Sequence, residues 1–274
     1  MLTVVNFNMH AGVDGWGRPF DVIAACASFK ADVLVLEEAW TNDADGPGSG
    51  QAEQIGTALG FEVAGCTLAK GRRARPHAAA TERWMPFMGF RAGVRSLFVS
   101  STGPLHTTEL AATRYQQGES GTWGIAVLTR RALAVEGKRT LRLPPLARDR
   151  VHRAAIVVDL RVDDVPISVV GTHMSHLHYG SHRNYADLKR LLHTEARPEA
   201  VLLGDMNLWG PPVRAFLPDW RRAVRGRTWP SWHPHSQIDH ILVRGDIAVV
   251  SGEVLPPAGS DHRPVRATLT LGQH

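Results

Sequence analysis

Residues 200–210 read AVLLGDMNLWG, and this stretch changes character abruptly after Leu203. Its first four residues suit a buried strand, and Gly204 allows the backbone to turn or pack closely where that strand ends. Asp205 and Asn207 are two positions apart, so in extended backbone their side chains point the same way. A carboxylate beside an amide can activate and orient a water molecule at the rim of a cleft. The alternative is a strand that ends in an ordinary Asx turn.

The composition is that of an ordinary globular protein. The chain has 274 residues, 43% of them hydrophobic and 21% charged, which suits one large domain or two small ones. No stretch approaches the roughly 20 apolar residues of a transmembrane helix. The first ten residues, MLTVVNFNMH, do not resemble a signal peptide, and two cysteines are too few for a disulfide framework. We therefore expect a cytoplasmic protein.

The net charge of +5 points to an anionic partner. Only four of the 31 basic residues are lysines, and the rest are arginines. Arginines cluster in 72–75 (RRAR) and 221–227 (RRAVRGR), where guanidinium groups could follow the phosphates of a ligand. The alternative is that both clusters are solvated surface.

Short apolar runs, many with β-branched residues, alternate with a few helical patterns. The predicted strands cover 2–7, 33–36, 94–99, 124–128, 154–160, 166–171, 200–203, 238–243, 247–250 and 264–270. Helices are predicted over 20–31, 50–60 and 181–196. Many strands with few helices indicate an α+β sandwich with the helices outside.

The change from apolar to polar residues recurs where other strands end. The polar positions are Glu37 and Glu38, Thr172 and His173, Asp239 and His240, Asp261 and His262, and Asn6, Asn8 and His10 on one face of the first strand. Each alone has a plain structural explanation, but ionisable groups are costly to bury unpaired, so the repetition indicates a site. Oxygen ligands without cysteine favour magnesium or manganese over zinc. With histidines as acid–base groups, the set predicts metal-assisted hydrolysis of a phosphate ester.

Seven segments, taken in order, resemble the endonuclease/exonuclease/phosphatase superfamily. They are VVNFNMH, LVLEEAW, GTWGIAVLTRR, VVGTHMSH, LLGDMN, SQIDHILV and SDHRPV, and they run from residue 4 to residue 265. The resemblance implies an α+β fold in a single domain over residues 1–274. That fold is a four-layer αββα sandwich, in which two mixed β-sheets lie face to face and helices flank them.

The same resemblance assigns roles to individual residues. It implies metal ligands for Mg²⁺ or Mn²⁺ at Asn8, Glu38 and Asp261. It implies catalytic groups at His173, Asp205, Asn207, Asp239 and His262. In this pattern Asp205 activates or orients the attacking water and Asn207 contacts the phosphate. His262, steadied by Asp239, faces the scissile phosphate.

Three positions depart from the family pattern. Glu37 stands where relatives usually carry glutamine, and it either strengthens cation binding or faces solvent. Ile125 stands where many relatives carry an asparagine that contacts substrate. Deoxyribonucleases support the histidine that matches His173 with a glutamate, for which Glu82 is the candidate here.

The resemblance predicts a divalent-metal-dependent phosphoesterase that hydrolyses phosphodiester bonds, with nucleic acid as the leading substrate. His173 argues against the abasic-site endonucleases, which generally lack a histidine there. The alternative is a phosphatase or phosphodiesterase acting on a small or lipid-derived phosphate ester, and a third reading is a non-catalytic binding protein. Aromatic and basic residues of segment 66–122 are expected to shape the substrate side of the cleft: Arg83, Trp84, Phe87, Phe90, Arg91, Arg95 and Trp123.

Overall fold

Two six-stranded sheets form the centre of the protein. The computed structural model describes residues 1–15, 17–46, 48–73, 118–147, 149, 151–176 and 179–272. The first sheet contains β1 (Leu2–Asn8), β2 (Val33–Asn42), β3 (Phe61–Arg72), β4 (Ser120–Arg130), β11 (Ile247–Val254) and β12 (Val265–Leu271). The second contains β5 (Ala134–Arg142), β6 (Ala154–Val162), β7 (Val165–His173), β8 (Ala200–Asp205), β9 (Arg221–Arg222) and β10 (Asp239–Arg244). The helices of this part of the chain are α1 (Val22–Ser28), α2 (Gln51–Leu59), α3 (Ser181–Glu195) and α4 (Gly210–Phe216), with a 3₁₀ turn at His10–Gly12.

Each sheet has one parallel strand pair at its centre. The strand orders are β11-β12-β1-β2-β4-β3 and β5-β6-β7-β8-β10-β9. β1 runs parallel to β2, and β7 runs parallel to β8, whereas the other pairs are antiparallel. The carboxyl ends of parallel neighbours lie at the same sheet edge, so polar residues that follow these strands are brought together. This connectivity makes both sheets mixed, as expected.

Three apolar layers hold the sheets and helices together. The inner faces of the two sheets share one core, which includes Val4, Val35 and Val169. A second core joins the outer face of the second sheet to α3 and α4, and a third joins the first sheet to α1 and α2. The order helix, sheet, sheet, helix confirms the predicted α+β sandwich. No helix of the described residues is long and apolar enough to cross a lipid bilayer.

Several elements differ from the sequence-based expectation. β3 and β5 were not predicted, because they are edge strands whose alternation is interrupted by glycines and charged residues. α4 begins with a glycine and two prolines, which weaken the helical signal although proline is tolerated in a first turn. The strand predicted over 94–99 lies outside the described residues.

Gly204 has a packing role at the end of β8. A Cβ added there would lie 2.1 Å from the Thr172 carbonyl oxygen of the neighbouring strand β7. Only a residue without a side chain permits this close approach of the two strands. The glycine of the GDMN segment therefore sets the distance between the ends of β7 and β8.

Candidate active site

Four strand ends meet at one edge of the sandwich. In the ladder between β7 and β8, His173 lies opposite Asp205, and in the ladder between β8 and β10, Asp205 lies opposite Asp239. Asn8 ends β1 on the facing sheet, and its side-chain Nδ2 donates to Asp205 Oδ2 at 3.2 Å. The site therefore spans both sheets, and Asp205 is its midpoint.

The Asp205 carboxylate is approached from several sides. Its Oδ1 accepts the backbone N–H of Asn207 at 2.8 Å. The Nε2 atoms of His173 and His262 lie 3.7 and 3.9 Å from its Oδ2. These two distances are too long for hydrogen bonds, so both imidazoles face the same oxygen across a gap. Burial raises the pKa of Asp205 to about 7, with a further rise from Asp239 and an opposing effect of His262.

His262 and Asp239 form a buried pair. The His262 Nδ1 lies 3.0 Å from both carboxylate oxygens of Asp239, and both side chains are almost fully buried. Burial alone would lower the pKa of His262, but the carboxylates of Asp239, Asp261 and Asp205 outweigh it and hold the pKa well above its usual value. His262 is therefore an imidazolium at neutral pH, with Nδ1–H directed at Asp239.

His173 is in the opposite state. Burial, followed by the positive charges of Arg153, His176 and His262, holds its pKa well below the usual value. The Asn207 Nδ2 lies 3.2 Å from His173 Nε2 and donates to the Met174 carbonyl at 2.8 Å. An amide nitrogen can only donate, so Nε2 accepts and the proton of the neutral ring is on Nδ1.

The opposite ring nitrogen of His173 is not satisfied. Its Nδ1 is buried without a hydrogen-bond partner in the described part of the chain. Glu82, the candidate support for this ring, lies outside the described residues, as do the six members of segment 66–122 from Arg83 to Arg95. Trp123 does lie at the site. The centroid of its ring is 5.8 Å from the centroid of the His173 ring and 6.0 Å from the guanidinium of Arg153.

Asp261 is a buried carboxylate on the other side of the site. Its Oδ2 accepts from Trp229 Nε1 at 3.3 Å, and its Oδ1 lies 3.5 Å from His10 Nδ1. Burial would raise its pKa, but His10 and His262 lower it below the usual value, so the carboxylate is ionised at neutral pH. The neighbouring Ser260 Oγ donates to the Asn8 carbonyl at 2.7 Å, which ties this loop to β1.

A β-bulge separates the two adjacent glutamates of β2. The ladder to β4 shifts between Glu37 and Ala39, and Glu38 has a φ of +51°. Glu38 is half-buried, whereas Glu37 is fully buried, so of the two alternatives for Glu37 the one in which it faces solvent is wrong. Its carboxylate oxygens have no hydrogen-bond partner among the described residues, and burial, reinforced by Asp239 and Asp205, raises its pKa well above the usual value.

The donor set suits a hard cation. Ligand atoms of Asp205, Asp239 and His262 lie within 4.8 Å of one another, and since a protonated His262 offers no lone pair, the oxygens of the two aspartates are the donors of this group. Buried carboxylates outnumber the cationic side chains here, and no thiol takes part, so a divalent ion with oxygen ligands would offset the excess negative charge. Two of the predicted metal ligands adjoin this group: Asn8 donates to Asp205, and Asp261 lies close to His262. The third, Glu38, is near enough for its charge to raise the pKa of Asp205.

Several arginines that were expected to follow the phosphates of a ligand form hydrogen bonds within the protein. Arg72 and Arg73 donate to the carbonyls of Gly118 and Gly12. Arg221 donates to the Ile247 carbonyl. Arg75 lies outside the described residues. Ile125 is 2% exposed and packs in the core between the sheets.

Trp229 was not found by sequence reasoning. It lies between two predicted strands without a recognised motif, and only the fold brings its indole N–H to Asp261. His10 was expected on the same face of β1 as Asn8, but it lies beyond the strand, in a 3₁₀ turn with a φ of +47°.

The comparisons with known proteins agree with this architecture. Residues 5–262 match the Endonuclease/Exonuclease/phosphatase family. No curated protein sequence matches the chain. A protein of that description from Beutenbergia cavernae is similar in structure, with 21% identity over 99% of this chain and 72% of the other and a TM-score of 0.62.

Two further structures share the fold. A mannosyl-6-phosphatase from Bacteroides thetaiotaomicron is 17% identical over 99% of this chain and 100% of the other, with a TM-score of 0.63. The human Nocturnin catalytic domain with bound sulfate is 13% identical over 99% of this chain and 94% of the other, with a TM-score of 0.62. Since the family match covers nearly the whole chain, the protein belongs to the endonuclease/exonuclease/phosphatase family, whose members are metal-dependent hydrolases of phosphoester bonds.

Proposed function

We propose that the protein hydrolyses a phosphodiester bond with Mg²⁺ or Mn²⁺, and that nucleic acid is its leading substrate. The observation that carries the proposal is the arrangement around Asp205: His173 and His262 face one of its oxygens at 3.7 and 3.9 Å, and Asp239 lies 3.0 Å from the other ring nitrogen of His262. The pKa values of the two histidines are shifted in opposite directions. Titratable groups whose pKa values are pushed apart are typical of acid–base sites. The net charge of +5 supports an anionic polymer as ligand.

The metal has a defined place in this proposal. Glu38, Asp261 and Asn8 would hold the ion, which when bound supplies positive charge to the phosphate oxygens. The three side chains offer the oxygen ligands that Mg²⁺ and Mn²⁺ prefer.

The chain's own residues supply the remaining chemistry. Asp205, with a pKa of about 7, orients a water molecule and takes its proton as the water oxygen attacks phosphorus. The bond from phosphorus to the leaving oxygen breaks, and that oxygen takes up a proton from solvent. The His262 imidazolium directs its Nε2–H at the phosphorane and stabilises the negative charge that develops there. Asp239 holds that ring by accepting from Nδ1.

The hydrogen bonds of Asn207 differ from the phosphate contact predicted for it. Its amide donors are directed at His173 Nε2 and the Met174 carbonyl, so in this state it holds the neutral histidine in place. The predicted contact from Asn207 to a phosphate oxygen requires the amide to exchange its bond with His173 for one to the substrate. We propose that substrate binding drives this exchange.

A substrate and metal screen tests the proposed function. Metal-free protein is titrated with Mg²⁺, Mn²⁺, Ca²⁺ and Zn²⁺ against plasmid DNA, RNA, bis(p-nitrophenyl) phosphate, p-nitrophenyl phosphate and sphingomyelin. We expect cleavage of nucleic acid and of the bis-ester with Mg²⁺ or Mn²⁺, and none with Asp205→Asn, which keeps the shape of the site. Rapid hydrolysis of the mono-ester without nicking of plasmid would instead establish a phosphatase. Full turnover in excess chelator would refute the metal dependence.

A further inference from the structure

We propose that residues 225–235, here called the basic loop, bind a second phosphate group of the substrate beside the one that is hydrolysed. This inference rests on the proposed function, because it assigns a further part of the ligand to the same cleft. The structure supports it through the position of the loop, its rigidity and its charge.

The basic loop is attached to the segment that carries Asp261 and His262. Trp229 Nε1 donates to the Asp261 carboxylate at 3.3 Å, and Ser231 N donates to the Asp261 carbonyl at 2.7 Å. On the loop side, the Thr228 carbonyl accepts from Arg263 N at 2.9 Å. These bonds place the loop within one side-chain length of the reaction centre.

Further contacts fix the shape of the loop. The rings of Trp229 and His235 meet edge to face, with centroids 5.2 Å apart. Trp232 packs directly on Gly15, where an added Cβ would lie 2.5 Å from the indole ring. Thr228 Oγ1 accepts from the backbone N–H of Asp239 at 3.3 Å. A loop held this way presents its side chains in a constant arrangement, which lowers the entropic cost of binding.

The loop carries positive charge on two arginines. Arg225 and Arg227 are both exposed. Within the described residues, no carboxylate pairs with the guanidinium of Arg225 or of Arg227. Such a group attracts an anion.

Many basic side chains elsewhere on the surface form ion pairs with acidic side chains. These pairs are Lys138 with Glu62, Arg139 with Asp159, Arg161 and Arg197 with Glu136, and Arg266 with Glu253. Arg225 and Arg227 have no such partner among the described residues, and they lie on the loop that bonds Asp261. The planar guanidinium fork matches the oxygens of a phosphate.

The second phosphate could belong to the next nucleotide of a strand or to a small bisphosphate. Both sources present an anionic phosphate group with non-bridging oxygens to the loop, so the inference concerns that group. The experiment separates the sources by its substrates.

The test compares substrates that differ by one phosphate. We measure kcat/KM with Mg²⁺ for a dinucleotide that carries a terminal phosphate on its 5′ end, on its 3′ end or on neither, and for a sugar bisphosphate against its monophosphate. The wild type should prefer one of the doubly phosphorylated substrates at least tenfold. Arg225→Gln with Arg227→Gln should bring that preference close to one. The control, Arg131→Gln with Lys189→Gln, removes the same charge at the far end of the first sheet and on the outer face of α3, and should keep the preference.

A binding measurement keeps the inference separate from the proposed function. Calorimetry on Asp205→Asn, which does not turn substrate over, gives the affinity for the same dinucleotides with and without the terminal phosphate. If no substrate is hydrolysed by the wild type, the proposed function fails, while a tenfold affinity difference lost in the Arg225/Arg227 variant still supports the second phosphate site. Equal affinity for both forms, or the same loss in the control variant, would overturn the inference.

Discussion

Replacing Asp239 by asparagine isolates the electrostatic support of His262. The substitution keeps the size of the side chain and removes its charge, while the His262 Nδ1 stays 3.0 Å from an oxygen that still accepts. Without the Asp239 carboxylate, burial lowers the pKa of His262 with less opposition from Asp261 and Asp205. The imidazolium should then lose its proton at a lower pH than in the wild type.

The size of the effect follows from the type of bond. A buried hydrogen bond between charged partners contributes about 1.5–3 kcal/mol, and each 1.4 kcal/mol is a factor of ten. We therefore expect kcat/KM of Asp239→Asn to fall about 10- to 100-fold at neutral pH. The loss should grow as the pH rises, because the wild-type His262 stays protonated there and the variant does not. His262→Gln should lose about 10²–10⁴-fold.

The assay is a double-mutant cycle on a small bis-ester with saturating Mg²⁺. Because Asp239 acts through His262, the double variant should be about as slow as His262→Gln alone. Thermal unfolding of each variant verifies that it is folded at the assay temperature, since breaking a buried pair costs stability. Additive losses, or a pH-independent loss in Asp239→Asn, would refute the reasoning.

Three further predictions concern β2 and β8. Glu37→Gln should raise Tm, and the gain should grow from pH 5 to pH 8. The folded wild type holds a proton on Glu37 that the unfolded chain releases above about pH 4.3, so the stability of the wild type falls as the pH rises. An equal gain in Tm at both pH values would contradict this. Glu38→Ala should abolish hydrolysis and the Mg²⁺-induced rise in Tm while the metal-free melt stays unchanged, which scanning calorimetry with and without Mg²⁺ checks. Gly204→Ala should lower the free energy of unfolding in urea by about 1–3 kcal/mol and lower kcat, because the added Cβ would lie 2.1 Å from the Thr172 carbonyl oxygen. The control is Gly137→Ala on β5, whose added Cβ would lie 3.6 Å from its nearest atom, and its stability should be nearly unchanged.

The sequence was sufficient to predict, along the chain, most of the polar residues that the fold brings together in the candidate site. A buried strand needs apolar residues, so a carboxylate or histidine where such a run ends is conspicuous, as at Asp205, His173 and Asp239. The expectation that Asp205 and Asn207 share one side of an extended backbone is wrong, because β8 ends at Asp205. Asn207 has a φ of +48° and donates its N–H to Asp205 Oδ1, so the alternative, an Asx turn, is what the structure shows. Helices α1, α2 and α3 were predicted to within a few residues, because their apolar spacing is regular.

Tertiary contacts decided features that have no local signal. The bulge that separates buried Glu37 from half-buried Glu38 depends on the pairing of β2 with β4, which local periodicity does not report. Edge strand β3 forms only because β4 is there to pair with it. The opposed protonation of His173 and His262 depends on burial and on charges from distant segments, such as Arg153 and Asp239.

By itself, the sequence determined the order of strands and helices and the residues available at each strand end, because both follow from periodicity along the chain. Only the tertiary structure decided which of those residues meet, how deeply they are buried and which carry a proton. The bond from Trp229 to Asp261 joins residues 32 positions apart, and that from Asn8 to Asp205 joins residues 197 apart. Electrostatic effects depend on distance in space and on burial, and neither can be read from separation along the chain.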